Sequence, residues 1–256
     1  MLYSVQMKPS HQFISTDALT TSILHIQDQY VLSTVFKDLG FQYPRPTLVV
    51  IGGASKLREA DFKRVQKLFI EVLAPLAEEL GLFVVDGGTD AGVMRLIGHA
   101  RAYIAGTFPL IGVAPTGLVT LPGKRPPHPD AAPVEPNHTH CLLIPGNQWG
   151  DESPWIADVA TILSDGLPSV AVLINGGEVT WKDASCNVAK ERPIIVIAGS
   201  GRTADIMAAA LQGKRVADQR AHLLLASDLL QAVNLNEETQ VLTEILRHLL
   251  TTSLKG

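Results

Sequence analysis

The 256-residue chain has little cysteine, no long apolar run and no excess of positive charge. Its two cysteines, Cys141 and Cys186, lack a Cys-x-x-Cys spacing, which argues against a disulfide framework or a metal pair. They are expected to be buried thiols in a reducing compartment. No apolar run approaches the 18 or so residues of a membrane-spanning helix, and Met1–Ser10 lacks the basic-then-apolar order of a signal peptide. With 21 basic and 25 acidic residues the formal charge is −4, which gives no electrostatic footprint for nucleic acid. Three motifs are also missing: the dinucleotide fingerprint GxGxxG, the phosphate loop GxxxxGK[ST], and the GxSxG nucleophile elbow. A standard dinucleotide dehydrogenase, a P-loop ATPase and a serine hydrolase are disfavoured. The expectation is a soluble cytoplasmic protein with no membrane insertion and no nucleic-acid partner.

What is present is a repeated unit: an apolar strand, a glycine turn, then a helix. It occurs at Leu48–Gly53, Leu82–Gly88, Ala171–Gly177 and Ile194–Asp205. Continuous apolar runs are the mark of strands buried on both faces, as helix-covered parallel strands are. Further strands are expected at Leu110–Ala114 and Cys141–Ile144. Helices are expected from Ser55 to Leu80, with Gly81 as C-cap, and over Val93–Ala105, Pro154–Leu163, a stretch ending near Ala189, Thr203–Leu211, Leu223–Val233 and Val241–Leu250. The fold class is α/β: a Rossmann-like, doubly wound, mostly parallel sheet with helices on both faces. Residues 1–46 read as a surface-packed extension and 47–215 as the Rossmann-like domain. Residues 216–256 read as helices packed on the domain or at an oligomer contact. The proline-dense stretch Leu121–Pro136 reads as an excursion beside a strand end, well placed to cover a ligand.

A glycine after a strand lets a ligand approach the backbone amides, and the following helix N-terminus adds unpaired N–H groups. Four such turns in one chain point to one crevice for an anionic ligand. Arg202, beside Gly201, can fork onto a phosphate; its alternative is an ion pair with Asp205. His138 and His140 lack further ligands at metal spacing, so no metal site is assigned, and one of them is expected to cap the crevice. Asp86, Asp90, Asp151 and Glu152 could hold a divalent ion, yet acids beside helix N-termini are common as caps.

In this order the motifs resemble the SLOG superfamily, and more closely its prokaryotic LSDAT group, related to the cytosolic N-terminal domain of melastatin-type TRP channels. The resemblance rests on Val50–Ala54, Asp86–Val93 (DGGTDAGV), Ile111–Gly117, Glu135–His140 (EPNHTH), Ile174–Gly177 and Gly199–Asp205 (GSGRTAD). It implies a crevice for nucleotide-derived ligands such as ADP-ribose, with no cofactor required, and a homo-oligomer is expected. Carried over by position, the binding candidates are Gly52, Gly53, Ala54, Gly87, Gly88, Thr89, Thr116, Asn137, His138, Gly176, Gly177, Ser200, Gly201 and Arg202. A more distant resemblance, to the LOG-type phosphoribohydrolases, implies an N-glycosidic hydrolase. Their PGGxGTxxE motif stands here as Asn175–Asp183 (NGGEVTWKD), with Asn175 for proline, Val179 for glycine and Asp183 for the catalytic glutamate. Asp183 or Glu178 would then be the catalytic carboxylate. A sensor or effector module is the leading expectation and the hydrolase the alternative.

Overall fold

The computed structural model describes residues 10–16, 19–53 and 59–252. The chain runs β1 (Ser10–Thr16), β2 (Leu19–His25), α1 (Leu32–Asp38), β3 (Thr47–Gly52), α2 (Glu59–Leu68), α3 (Ala74–Leu80), β4 (Phe83–Asp86), α4 (Gly92–Tyr103) and β5 (Leu110–Pro115). Two short strands follow, β6 (Val119–Thr120) and β7 (Ala132–Pro133), then β8 (His140–Ile144), α5 (Ser153–Ser164), β9 (Ser169–Ile174) and α6 (Glu178–Val188). The last elements are β10 (Ile194–Ala198), α7 (Arg202–Leu211), α8 (Gln219–Leu225), β11 (Leu230–Asn234) and α9 (Thr239–Thr251).

Nine strands form one sheet in the order β1-β2-β8-β5-β4-β3-β9-β10-β11. Every neighbouring pair is parallel except β1 with β2. Helices cover both faces, as expected of parallel strands. On one face α1, α5, α6, α7 and α8 bury Phe36, Ile156, Trp181, Met207 and Leu224 against Val49, Val85, Leu173 and Val196. On the other, α2, α3, α4 and α9 bury Val65, Leu76, Leu96 and Leu246 against Leu48, Val84, Val172 and Ile195. The doubly wound α/β reading therefore holds.

Three expectations change. The N-terminal stretch is more than a surface extension: β2 pairs with β8, and Ile23 and Ile26 are fully buried. The helix expected over Leu223–Val233 stops at Leu225, and β11 takes its place at the sheet edge. Asp228 lies between them with φ 57, a left-handed conformation that no helix continues through. The long second helix is interrupted by a π-turn at Phe69–Leu73, just before Pro75. Proline has no N–H for the i−4 carbonyl, and the wider turn accommodates it. Gly81 does cap the end, with φ 61. The final helix α9 packs on the sheet through Leu242, Leu246 and Leu250.

The crossover from β5 to β8 holds only a single 3-10 turn, Thr116–Leu118, and no α-helix. It carries the proline-dense excursion, closed by the short β6–β7 pair and by a bridge between Thr89 and Val134. A small core of Ile23, Ala114, Val119, Val134, Cys141 and Leu143 lies beneath it. Both cysteines are free thiols, Cys141 buried and Cys186 partly so.

Candidate functional site

The glycine turns stand at the carboxyl ends of adjacent strands. β3 and β9 run side by side with Gly52 opposite Ile174, so the turns after them meet. At Gly52, φ is 127 and a Cβ would lie 2.0 Å from the Ile174 carbonyl oxygen, so only glycine fits. A Cβ at Gly53 would come within 3.9 Å of the Gly176 backbone, and one at Gly177 within 3.0 Å of an Arg202 guanidinium nitrogen. Gly52–Gly53, Gly176–Gly177 and Gly201–Arg202 thus form one contiguous row, the last two running into the N-termini of α6 and α7. Ala54 lies outside the described residues.

The row is held from beneath. Ser200 is fully buried; its hydroxyl accepts the Asn175 N–H at 2.7 Å and donates to the Ile197 carbonyl at 2.5 Å. It braces the turn. The Thr180 hydroxyl accepts the Gly177 N–H at 3.0 Å, and the Thr203 hydroxyl donates to the Gly177 carbonyl at 3.2 Å. Asp205 accepts the Gly199 N–H at 2.6 Å and so caps the neighbouring turn. Asn175 sits at φ 54, which asparagine tolerates and proline cannot adopt. The loss of the motif's proline is thus matched by a different backbone.

Beside this row opens a cavity of about 360 Å³. Gly52, Gly87 and Thr89 line it from the sequence-derived set, together with Met94, Trp149, Glu152, Thr180 and Asp183. Trp149 and Asp130 also line a neighbouring hollow with Asn147 and Gln148. The loop carrying Trp149 is braced: the Asp151 carboxylate accepts the Asn147 and Gln148 N–H groups, each at 3.0 Å, and Glu152 accepts the Gly150 N–H at 2.8 Å. Asp151 and Glu152 therefore serve as turn caps. Trp149 had no signal in the sequence beyond its type, because the loop geometry alone turns it to the crevice, whereas Met94, in the first turn of α4, closes the glycine run Gly87–Met94.

Two carboxyl groups share the inner wall. Burial pushes the Asp183 carboxyl up to about 7, against a hydrogen bond donated by the Ser153 hydroxyl at 2.6 Å; the Glu152 charge adds to the rise. Burial also raises Glu152. Glu178, the other carboxylate considered from sequence, points away, exposed and paired with Arg220, whose guanidinium stacks 4.7 Å from the Trp181 ring.

Three sequence-derived candidates stand off the cavity. Thr116 donates its hydroxyl to the Ile144 carbonyl at 2.9 Å. Asn137 holds the Glu135 carboxylate, with its side-chain amide at 2.7 Å and its backbone N–H at 2.8 Å. His138 does not cap the crevice: it is buried between Asp86 and Glu135. His140 packs edge-on against Phe41, centroids 4.7 Å apart. The donor atoms of Asp90, His99 and Glu135 lie within 4.8 Å of one another. Asp90, however, is engaged by Arg95 at 2.6 Å and Glu135 by His138 at 2.7 Å, so two of the three groups already have partners.

A family model described as "SLOG in TRPM, prokaryote" matches residues 45–243. The chain belongs to this family. Curated relatives of this SLOG chain include the transient receptor potential cation channel subfamily M member-like 2 of Nematostella vectensis. It is 26% identical over 214 residues, covering 69% of this chain and 14% of the channel. The subfamily M member 2 channel of Mus musculus is 24% identical over 204 residues, 66% of this chain and 13% of the channel. The SLOG chain spans about one-seventh of the channels' length. Among solved structures, the X-ray structure of TM1055 superposes with a TM-score of 0.52 at 18% identity, covering 79% of this chain and 98% of that one; the two share a fold. No helix among the described residues is long and apolar enough to cross a membrane.

Proposed function

We propose that this SLOG chain binds a phosphorylated nucleotide-type ligand of the ADP-ribose class, as a sensor or effector module. The observation that carries the reading is the contiguous row of glycine turns, with the Arg202 guanidinium against Gly177 at its end. Backbone N–H groups at the starts of α6 and α7 and one exposed guanidinium suit phosphate oxygens. The adjoining cavity, with Trp149 and Met94 on its walls, suits the less polar part of such a ligand. Gly52, Gly53, Gly176, Gly177, Gly201 and Arg202 would meet the phosphates, and Gly87 and Thr89 the opposite wall. We propose a cytoplasmic location, on the resemblance to the channels' cytosolic N-terminal domain, and self-association. Native mass spectrometry of the protein mixed with ADP-ribose, cyclic ADP-ribose, AMP or NAD tests the reading. A retained nucleotide supports it, and no adduct with any of them contradicts it.

A second reading has its own observation. Asp183 is a buried carboxyl in the crevice wall, raised to about 7 and beside Glu152. A carboxyl near neutrality is suited to proton transfer at a glycosidic bond. Release of free base or ribose phosphate from a bound nucleotide, lost in Asp183→Ala, would assign a hydrolase. Intact ligand after prolonged incubation would leave a binding module.

A further inference from the structure

Beneath the crevice lies a buried polar cluster that the ligand reading does not use. Asp86, Glu135 and His138 are 0%, 0% and 2% exposed. The imidazole Nε2 sits 2.8 Å from an Asp86 carboxylate oxygen and Nδ1 sits 2.7 Å from a Glu135 oxygen. With both ring nitrogens facing carboxylates, the doubly protonated ring satisfies both contacts. The other Asp86 oxygen, Oδ2, has no hydrogen-bond partner among the described residues.

The fold makes room for this cluster at two glycines. Gly112 lies mid-strand in β5, where a Cβ would stand 2.3 Å from the Gly88 Cα and 3.3 Å from the His138 ring. Gly98 lies mid-helix in α4, where a Cβ would stand 2.1 Å from the Glu135 carboxylate. Glycine weakens both a strand and a helix interior, so the chain gives up local stability to house three ionisable groups.

The cluster converges on one residue of the crevice loop. The Asp86 carboxylate accepts the Gly88 N–H at 2.7 Å, and the Glu135 backbone N–H donates to the Gly88 carbonyl at 3.0 Å. Gly88 is thus held on both sides of its Cα, at φ 65, by the two residues that His138 joins. Its neighbours Gly87 and Thr89 line the cavity. We infer that Asp86, His138 and Glu135 form a charge-bridged positioning unit that sets the Gly87–Thr89 loop in its ligand-accepting shape. His138 acts through Asp86 and Glu135 and not by touching the ligand. The inference rests on the crevice being the ligand site.

The charged and titratable groups around His138 are Asp86 on β4, Glu135 before it in the chain, and Cys141 on β8, which feels the Asp86 charge. Beyond Glu135 stand Arg95, His99 and Arg101 on α4. Burial opposes the imidazolium, and the two carboxylates outweigh it, raising His138 to about 9.

The test compares the wild type with His138→Gln by amide hydrogen exchange and by ADP-ribose titration. Exchange at Gly88 should quicken in His138→Gln at least tenfold more than exchange at β9 and β10, which slows or quickens only with global stability, and ADP-ribose affinity should fall tenfold or more. In the wild type, Gly88 exchange corrected for the intrinsic base-catalysed rate, and affinity with it, should change between pH 8 and pH 10. The His138→Gln protein should show neither change. Equal Gly88 protection in both proteins, or a uniform loss across the whole sheet, would overturn the inference. Should His138→Gln fail to fold, the wild-type pH profile read against the ring nitrogen shifts of His138 carries the test; a profile that ignores the ring's titration overturns it. Should no nucleotide bind the wild type, the ligand reading fails, and the exchange data still decide whether the unit holds Gly88.

Discussion

The Arg202 guanidinium lies against Gly177, where a Cβ would come within 3.0 Å of it. The two residues belong to turns after different strands, β9 and β10, and their contact closes the glycine row. Gly177 has φ −144, an ordinary extended conformation, so alanine is accommodated by moving the flexible arginine. Gly177→Ala should leave stability within about 1 kcal/mol while weakening ADP-ribose binding through the displaced guanidinium. Thermal melts and titration of the one variant check both halves.

Asn175 should accept glycine and reject proline. Its φ of 54 is open to glycine and closed to the proline of the related hydrolase motif. Asn175→Pro should cost well over about 1 kcal/mol, and Asn175→Gly about 1 kcal/mol or less. Denaturant unfolding of the two variants makes the comparison.

Asp183 makes stability depend on pH in the acid range. Its folded pKa, about 7, lies above the ordinary carboxylate value near 3.8, so the folded state holds the proton more tightly. Its contribution therefore falls as pH rises from about 4 to about 7 and is level above. Asp183→Asn keeps an oxygen for the Ser153 hydroxyl and removes the buried charge. At pH 8 it should gain on the order of 2–4 kcal/mol relative to the wild type, with little difference near pH 4. Melting temperatures across that range give the answer.

His138 acts at the other end of the scale. Its folded pKa of about 9 lies above the ordinary imidazole value near 6.5. The stabilisation is complete below about pH 6.5 and is lost as pH rises through about 9. His138→Gln should cost on the order of 3 kcal/mol at pH 6 and progressively less toward pH 10. Unfolding curves of both proteins at several pH values check the convergence.

The parallel sheet was legible because strands buried on both faces leave continuous apolar runs, as at Leu48–Ile51 and Ile194–Ile197. β11 was not: Leu230–Asn234 is a half-exposed edge strand with a weak apolar pattern, and its helix-like upstream run masked it. Likewise β2 shows its buried Ile23 only once β8 stands beside it. In the crevice, Gly52 and Gly87 announce themselves by their place after strands. Trp149 and Glu152 do not, since a loop between β8 and α5 carries them back over the cavity. His138 was visible as a polar residue of interest, yet its partners Asp86 and Glu135 come from sequence-distant and loop positions that only the β5–β8 crossover brings together. Asp183 was found by motif, and its separation from Glu178 required the fold.

The central claim, that the glycine row and Arg202 hold the phosphates of a nucleotide ligand, is tested most directly by calorimetric titration of wild type and Arg202→Ala with ADP-ribose. Saturable binding is expected in the wild type, weakened in the variant by about 1.5–3 kcal/mol, the loss of a hydrogen bond to a charged group. No heat from ADP-ribose, cyclic ADP-ribose, AMP or NAD, or equal affinity in the two proteins, would contradict it.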